Sequence, residues 1–208
     1  MFSFFGKKNI PLVKLENIVW ATRSTRFTGL LRHVQKSIDV RPVLVVYFFE
    51  NTLSLLTEAF KFSTKPHRLV KNADDVKDDK CILIFSAKEF LYHSAKLKNL
   101  LSSKEFEVIF AEHYPLNEPE DEILLKVSDI SLRAKVFAYT DFEDGLLKQF
   151  GGDRILDMMK KMGMNENESI SHNIVNKAIK EAKKKIGEKV RYEQQTPSSE
   201  EWFAKNYK

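Results

Sequence analysis

Four short apolar runs, spaced along the first 150 residues and separated by helix-like segments, constrain the fold most strongly. The runs are PVLVVYFF (42–49), CILIF (81–85), EVIFA (107–111) and KVFAY (135–139). Each is rich in β-branched and aromatic residues, which suits a strand that is buried on both faces. The segments between them place apolar residues at helical spacing, and hairpin signals such as Asn-Gly are missing. The alternation predicts an α/β fold with a mostly parallel sheet and flanking helices.

The residues after position 150 follow a different pattern, in which helical spacing is the only periodicity. The longest apolar stripe has members three or four positions apart, as on one face of an amphipathic helix: it comprises Ile174, Val175, Ala178, Ile179, Ala182, Ile186 and Val190. The last residues, 194–208, are mostly polar but include Trp202, Phe203 and Tyr207, so that either a short docking helix or a disordered tail would fit them. We therefore divide the chain into an α/β domain, 1–150, and a helical extension with a tail, 151–208.

Bulk properties argue against a membrane-spanning or disulfide-stabilised protein. No apolar run approaches the ~18 residues that a membrane helix needs, and Cys81 is the only cysteine in the 208 residues. The first residues, MFSFFGKKN, lack the long apolar core and the cleavage site of a signal peptide, so we expect a cytoplasmic protein. Their aromatic and basic side chains leave open a weak peripheral contact with a membrane, or a terminus that is tucked in or disordered: Phe2, Phe4, Phe5, Lys7 and Lys8.

The basic character of the chain is concentrated in its last long helix. Between residues 172 and 191, seven Lys or Arg face two Glu, and seven minus two gives +5, which equals the formal charge of the whole chain. This face would suit phosphates or acidic lipids, or it is simply solvated. With a basic residue just ahead of it, it supplies the candidate partner-binding set: Arg154, Lys177, Lys180, Lys183, Lys184 and Lys185.

Motifs for cofactor or metal chemistry are missing from the sequence. None of the seven glycines builds a GxxxxGK[ST] or GxGxxG phosphate cradle, and the five histidines lack metal-ligand spacing. We therefore expect no cofactor and no metal. The pair Glu112-His113, at the end of a predicted strand, is either an acid–base dyad or a solvated pair. Thr140 to Glu143 reads as a capping box that starts a helix.

Two features near residue 155 have a structural and a functional interpretation. The sequence Gly151-Gly152-Asp153-Arg154 would place helix amides and an arginine around an anion, or Asp153 simply caps the helix. The methionines that follow form either an adaptable partner groove or ordinary core packing: they are Met158, Met159, Met162 and Met164.

The stretch GGDRILDMMKKMGMNENESISHNIVNKAIKEAKKKIGEKV resembles the SecA preprotein translocase ATPase family, just after its second nucleotide-binding domain. The preceding residues, KVFAYTDFEDGLLKQF (135–150), match the strand and acidic helix that come before this run in the family. The likeness covers about residues 17–190 and is closest after Lys135. The matching residues of the stretch are Asp153, Arg154, Met159, Gly163, Met164, Ile170, His172, Val175, Lys177, Ala178, Ile179, Ala182 and Lys184.

The resemblance implies a RecA-like motor domain, but the residues that serve ATP in the family are missing. SecA proteins carry two RecA-like domains with ATP between them, and nothing here corresponds to the first domain with its Walker lysine. The GRGTD loop of the second domain is absent, and Arg133 is the only arginine where the family has its QxxGRxGR segment, between His113 and Ala134. Because phosphoryl transfer depends on positioning and charge stabilisation, we expect a degenerate domain without ATPase activity.

The expected function is therefore binding. The leading hypothesis is a non-catalytic SecA-like module that contacts a protein-translocation component or a helicase-like motor. The alternative is an accessory domain associated with nucleotide or nucleic acid, using the sheet edge and the basic last helix. An enzyme with its site at Glu112-His113 is a third hypothesis.

Overall fold

The computed structural model describes residues 11–77, 80–148, 151–152, 156–157, 161, 165, 167–170 and 173–207. Its centre is a six-stranded sheet in which β1 lies at one edge and β3 at the other, in the order β1-β6-β5-β2-β4-β3. All five neighbouring pairs of strands are parallel. The predicted α/β fold class with a mostly parallel sheet is thereby confirmed, and RecA-like is the resemblance that the sequence indicates for it. The strands are β1 (Leu15–Trp20), β2 (Val43–Tyr47), β3 (His67–Leu69), β4 (Ile82–Ser86), β5 (Glu107–Phe110) and β6 (Lys135–Asp141).

Helices cover both faces of the sheet. In the described residues they are α1 (Arg23–Ser37), α2 (Glu50–Phe60), α3 (Ala87–Tyr92), α4 (Ser94–Leu101), α5 (Glu118–Ile130), α6 (Gly145–Lys148), α7 (Asn173–Lys189) and α8 (Ser199–Asn206). Helices α1 and α2 pack on one face, with Leu30, Val34 and Leu56 in its core. Helices α3 to α5 pack on the other face, around Phe90 and Leu101. Two-sided coverage explains why β2 and β4 read as continuous apolar runs.

The residues after position 150 add a third hydrophobic cluster at the carboxyl edge of the sheet. Ile170 forms an isolated antiparallel bridge with Val19 of β1, and α7 buries four members of the predicted apolar stripe, Val175, Ile179, Ala182 and Ile186. Trp202 of α8 is 0% exposed in the same cluster. The described part of the extension therefore packs on the sheet, and the tail contains a docking helix. A domain boundary at residue 150 stays a prediction.

No helix in the described part of the chain combines the length and the apolar character that crossing a membrane requires.

Candidate functional site

The carboxyl edge of the sheet, between β5 and β2, is the natural place for a site in this fold. The chain leaves β2 toward α2 on one face and leaves β5 toward α5 on the opposite face. Ligands in open α/β sheets bind in the crevice that such a divergence opens. The residues that follow the two strands, and those that cover them, therefore decide what the chain can do chemically.

Glu112, which follows β5, places its own side-chain carboxylate in this crevice. Its Oε1 accepts hydrogen bonds from the backbone amides of Phe48 (2.8 Å) and Phe49 (3.0 Å), and its Oε2 accepts one from the Thr52 hydroxyl. Phe49 is the N-cap of α2. Because a helix N-terminus offers free amides to anions, Glu112 takes the position that a phosphate or carboxylate ligand would take.

The environment of Glu112 shifts its ionisation. Only 2% of the residue is exposed, and this burial raises the pKa of the carboxyl to about 7 against the opposing effects of the Thr52 hydroxyl, Arg26 and the two amides. A carboxyl with a pKa this close to neutral gains or loses its proton near neutral pH, so the crevice changes charge there.

Replacing Glu112 by glutamine is expected to flatten the pH dependence of folding stability between about pH 5 and 8. The folded-state pKa lies above the unfolded value of about 4.3, so the folded wild type binds more protons in this range and loses stability as pH rises. The slope reaches at most ~1.4 kcal/mol per pH unit. Urea unfolding at several pH values, with exposed Glu122→Gln as the control, measures it. Parallel curves for wild type and Glu112→Gln would contradict the assignment.

A buried ion-pair cluster lies beside Glu112, at the ends of β1 and β6. The Arg26 guanidinium places Nε 3.1 Å from Asp141 Oδ2 and Nη1 4.0 Å from Asp144 Oδ2. All three residues are buried. Burial raises the pKa of both carboxyls, and the positive charge of Arg26 opposes that rise. The cluster fixes the start of α1 to the end of β6.

The predicted capping box at Thr140–Glu143 is wrong. Strand β6 continues through Asp141, and Thr140 lies inside it. Asp141 accepts the Glu143 amide at 2.9 Å, and Asp144 accepts the Leu146 amide at 2.9 Å. The acidic residues cap the turn after the strand, and the helix begins only at Gly145.

Neither alternative for the Glu112-His113 pair is correct: both residues are buried, so the pair is not solvated, and the two side chains contact different partners, so they do not form a dyad. His113 Nδ1 lies 3.0 Å from Glu120 Oε1, which also accepts the Tyr114 amide at 2.7 Å. Lys183 Nζ lies 2.5 Å from Glu120 Oε2. Burial alone would raise the pKa of Glu120, but the charges of Lys183 and His113 outweigh it and lower that pKa to about 2. This buried triad, His113–Glu120–Lys183, ties α7 to α5 and β5.

The candidate partner-binding residues do not form one surface. Lys177, Lys180, Lys184 and Lys185 are exposed on α7. Lys177 Nζ lies 3.9 Å from Glu181 Oε1, and Lys184 Nζ lies 3.9 Å from Glu188 Oε1, each one turn along the helix. Lys183 was expected on this face but is buried in the triad, with 4% exposure. Arg154 and the four methionines of 158–164 lie outside the described residues. Partner binding by the exposed lysines stays a prediction.

The segment 190–207, which we call the strap, covers the carboxyl edge. The Asn51 amide donates to the Pro197 carbonyl at 3.0 Å, and Arg23 pairs with Glu200. Trp202 Nε1 donates to Glu193 Oε1 at 2.5 Å. A Cβ on Gly145 would lie 2.5 Å from the Phe203 ring, so the contact of α6 with the strap requires glycine.

A cavity of about 260 Å³ remains between the strap and the sheet edge. It is lined by side chains of both charges, among them Arg23, Arg26, Thr52, Glu112, Asp144 and Ser199. Among the described residues, no group of three or more His, Cys, Asp or Glu is arranged to hold a metal ion. Among the lining residues, Arg23 pairs with Glu200, and Arg26 Nη1 lies 4.0 Å from Asp144 Oδ2, so these four charges are balanced within the chain.

Curated proteins similar to the chain are SecA protein translocase subunits. That of Christiangramia forsetii is 24% identical over 185 residues, which cover 83% of this chain and 16% of that protein. Those of Campylobacter jejuni (strain RM1221) and Anaplasma phagocytophilum are 48% and 44% identical over 48 residues, or 23% of this chain and 6% of each protein. The chain thus spans only a small fraction of the length of these relatives.

No protein-family model matches the chain. Among solved structures, the C-terminal part of the Fun30 ATPase domain is 11% identical, with a TM-score of 0.41 over 78% of this chain and 54% of that chain. The sequence relatives and the sheet topology agree with each other. The chain is therefore similar to the SecA protein translocase subunits over most of its length, and its fold is a parallel α/β sheet flanked by helices.

Proposed function

We propose that the chain is a non-catalytic SecA-like binding module whose partner is a component of protein translocation. The observation that carries the proposal is the position of the Glu112 carboxylate. It accepts the two backbone amides at the start of α2 and the Thr52 hydroxyl. A phosphate at this point would compete with the buried Glu112 side chain for the same donors and, above about pH 7, would also be repelled by its charge.

Two further features support a role without ATP hydrolysis. The strap covers the crevice and contains the fully buried Trp202. Arg133, the only arginine in the segment where the family has its phosphate-stabilising arginines, lies between the end of α5 and the start of β6. That is the amino edge of the sheet, opposite to Glu112. Charge stabilisation of a transferring phosphoryl group needs the arginine at the nucleotide, so Arg133 is not placed for that role.

The enzymatic part of the proposal is tested with nucleotides. We expect no ATP turnover by the purified chain above a buffer control, and no saturable binding of a fluorescent ATP analogue with or without Mg²⁺. Turnover that persists through successive purification steps and changes in Glu112→Gln would contradict the proposal. Glu122→Gln is the matched control, because Glu122 is exposed on α5.

The partner is tested by affinity purification of the chain from its native cell, followed by mass spectrometry. The similarity to SecA translocase subunits supports translocation components as the proteins retained.

A variant with Lys177, Lys180 and Lys184 changed to glutamate tests the exposed face of α7. Because these side chains are exposed, the fold should survive the change. Repeated absence of translocation components would contradict the proposal, and RNA retained in a salt-sensitive way by wild type alone would favour a nucleic-acid role instead.

A further inference from the structure

The cavity of about 260 Å³ beneath the strap contains polar groups that the chain leaves unsatisfied. On the strap side, Ser199 is only 7% exposed, and its Oγ has no hydrogen-bond partner within the part of the chain that the structure describes. On the α1 side, the buried Nε of Arg23 likewise has no partner among the described residues. Both residues line the cavity. Because an unsatisfied buried donor is costly, these two groups indicate a site that water or a ligand completes.

The sheet side of the cavity offers hydrogen-bond acceptors instead. Glu112 Oε1 accepts two backbone amides, whereas Oε2 accepts, among the described residues, only the Thr52 hydroxyl. A carboxylate oxygen has room for a further donor. Asp144 lines the same cavity, with its Oδ2 4.0 Å from Arg26 Nη1. Free donors therefore face the cavity from the strap and α1, and a free acceptor faces it from the sheet edge.

The charges of the lining disfavour a ligand of a single sign. Arg23 and Arg26 are positive, and Glu112, Asp144 and Glu200 are the acidic groups of the lining. An anion would approach the carboxylates, and a cation would approach the guanidinium groups. A ligand with both charges matches both sets. The volume is below the roughly 300–1,000 Å³ of pockets for drug-sized molecules, so the ligand has to be small.

The mouth of the cavity is accessible without unfolding the strap. Arg23 and Glu200 pair there, with side chains that are 36% and 52% exposed. Exposed ion pairs contribute little to stability, so this pair can open and close. Asn51 and Ser54 of α2 also line the cavity and are exposed. A small molecule from the solvent can therefore reach the buried donors and acceptor.

We propose that the cavity binds a small zwitterion of the α-amino-acid class. The carboxylate of the ligand accepts hydrogen bonds from Ser199 Oγ and Arg23 Nε, and its ammonium group donates to Glu112 Oε2. Such a ligand reproduces the hydrogen bonds of the water that it displaces. The inference goes beyond the proposed function, because it assigns a small-molecule ligand and holds whichever protein the module binds.

Calorimetric titration of the full chain with glycine, alanine and serine tests the ligand class. We expect saturable binding of at least one of them up to the millimolar range. The matched probes are N-acetylglycine, which lacks the ammonium group, and glycinamide, which lacks the carboxylate. Both should bind at least about tenfold more weakly, since each loses a charge-assisted hydrogen bond. Absence of saturable binding for all three amino acids, or equal binding of N-acetylglycine, would overturn the proposal.

Two variants test the assigned contacts. Ser199→Ala is expected to weaken binding by about tenfold and to leave urea unfolding unchanged, because its Oγ makes no hydrogen bond within the described chain. Glu112→Gln should weaken binding at least as much, because it removes the charge that faces the ammonium group. Ser103→Ala and Glu122→Gln, both at exposed positions, are the controls. Unchanged affinity in Ser199→Ala would overturn the proposal even if Glu112→Gln failed to fold.

Binding to the wild type should also strengthen as pH rises from about 6 to 8. The ammonium group favours the ionised form of Glu112, whose pKa is about 7 without ligand, so binding releases a proton. The other charged groups that face the cavity are Arg23 and Arg26 on α1, Asp144 before α6 and Glu200 on α8, whereas α2 contributes uncharged side chains. Proton release from Asp144 would have the same sign. An equal increase in Glu112→Gln, or none in the wild type, would contradict the assigned position of the ammonium group.

Discussion

Replacing Lys183 by methionine is expected to lower the free energy of unfolding by about 3–5 kcal/mol, because it leaves the buried carboxylate of Glu120 without its cation. The lysine Nζ lies 2.5 Å from Glu120 Oε2, and both side chains are buried. Methionine has a similar length and no charge, so the loss reports the missing charge more than a missing volume. Urea unfolding of the two proteins at neutral pH measures the difference.

Two further variants isolate the cause. Lys184→Met changes the next residue, whose side chain is 77% exposed, and should alter stability by less than about 0.5 kcal/mol. Lys183→Met with Glu120→Gln removes both charges and should recover much of the loss, since replacing a whole buried pair is far less costly than breaking it. A double variant as unstable as Lys183→Met alone would show that the ion pair is not the cause.

The ion pair between Lys183 and Glu120 also makes the free energy of unfolding of the wild type fall at low pH. The pKa of Glu120 is lowered to about 2 by Lys183 and His113, below the unfolded value of about 4.3. Its contribution is therefore present above about pH 4 and lost as pH falls toward 2. In Lys183→Met this loss between about pH 4 and 2 should be smaller, because the pKa returns toward its unfolded value.

Replacing Trp202 by alanine is expected to cost about 3–5 kcal/mol, the range for deleting a large buried aromatic side chain. The indole is fully buried; its Nε1 donates to Glu193, and its ring makes edge contacts with Tyr114 and Phe203. The exposed neighbour Tyr192, 91% exposed, supplies the control: Tyr192→Ala should be close to neutral.

Loss of Trp202 should also loosen the strap before the sheet unfolds. The Asn51 amide donates to Pro197 of the strap, so its hydrogen exchange should become faster in Trp202→Ala, while amides in β2 and β5 keep their protection. Uniform acceleration at all these amides would mean that the strap and the sheet open together, which would contradict a separately opening strap.

The strands were predictable from sequence because a strand that is buried on both faces consists almost entirely of apolar residues. The run at 42–49 contains β2 (Val43–Tyr47), and the run at 81–85 contains all of β4 (Ile82–Ser86) except its last residue. The site was not predictable in the same way. Glu112 accepts hydrogen bonds from amides 63 and 64 residues away along the chain, and spacing along one segment carries no information about such partners.

The burial of Lys183 on α7 is predictable from helical spacing. Lys183 follows Ile179 by four residues and precedes Ile186 by three, and both isoleucines are buried. Helical spacing therefore places Lys183 on the inner face of α7. The net charge of the segment groups Lys183 with the exposed lysines. Its position on the helix instead indicates a buried cation, which needs an acidic partner.

The order of strands in the sheet has a consequence for synthesis on the ribosome. The residues of β1 are synthesised early, but this strand pairs with β6, so that Leu15 lies opposite Val136 and Trp20 lies opposite Asp141. The first strand therefore has no neighbour until more than a hundred further residues have been made. During that interval its apolar residues and its unpaired backbone are open to wrong contacts. Translation rate and chaperone supply should therefore govern the yield of folded protein more strongly than the equilibrium stability of the finished chain.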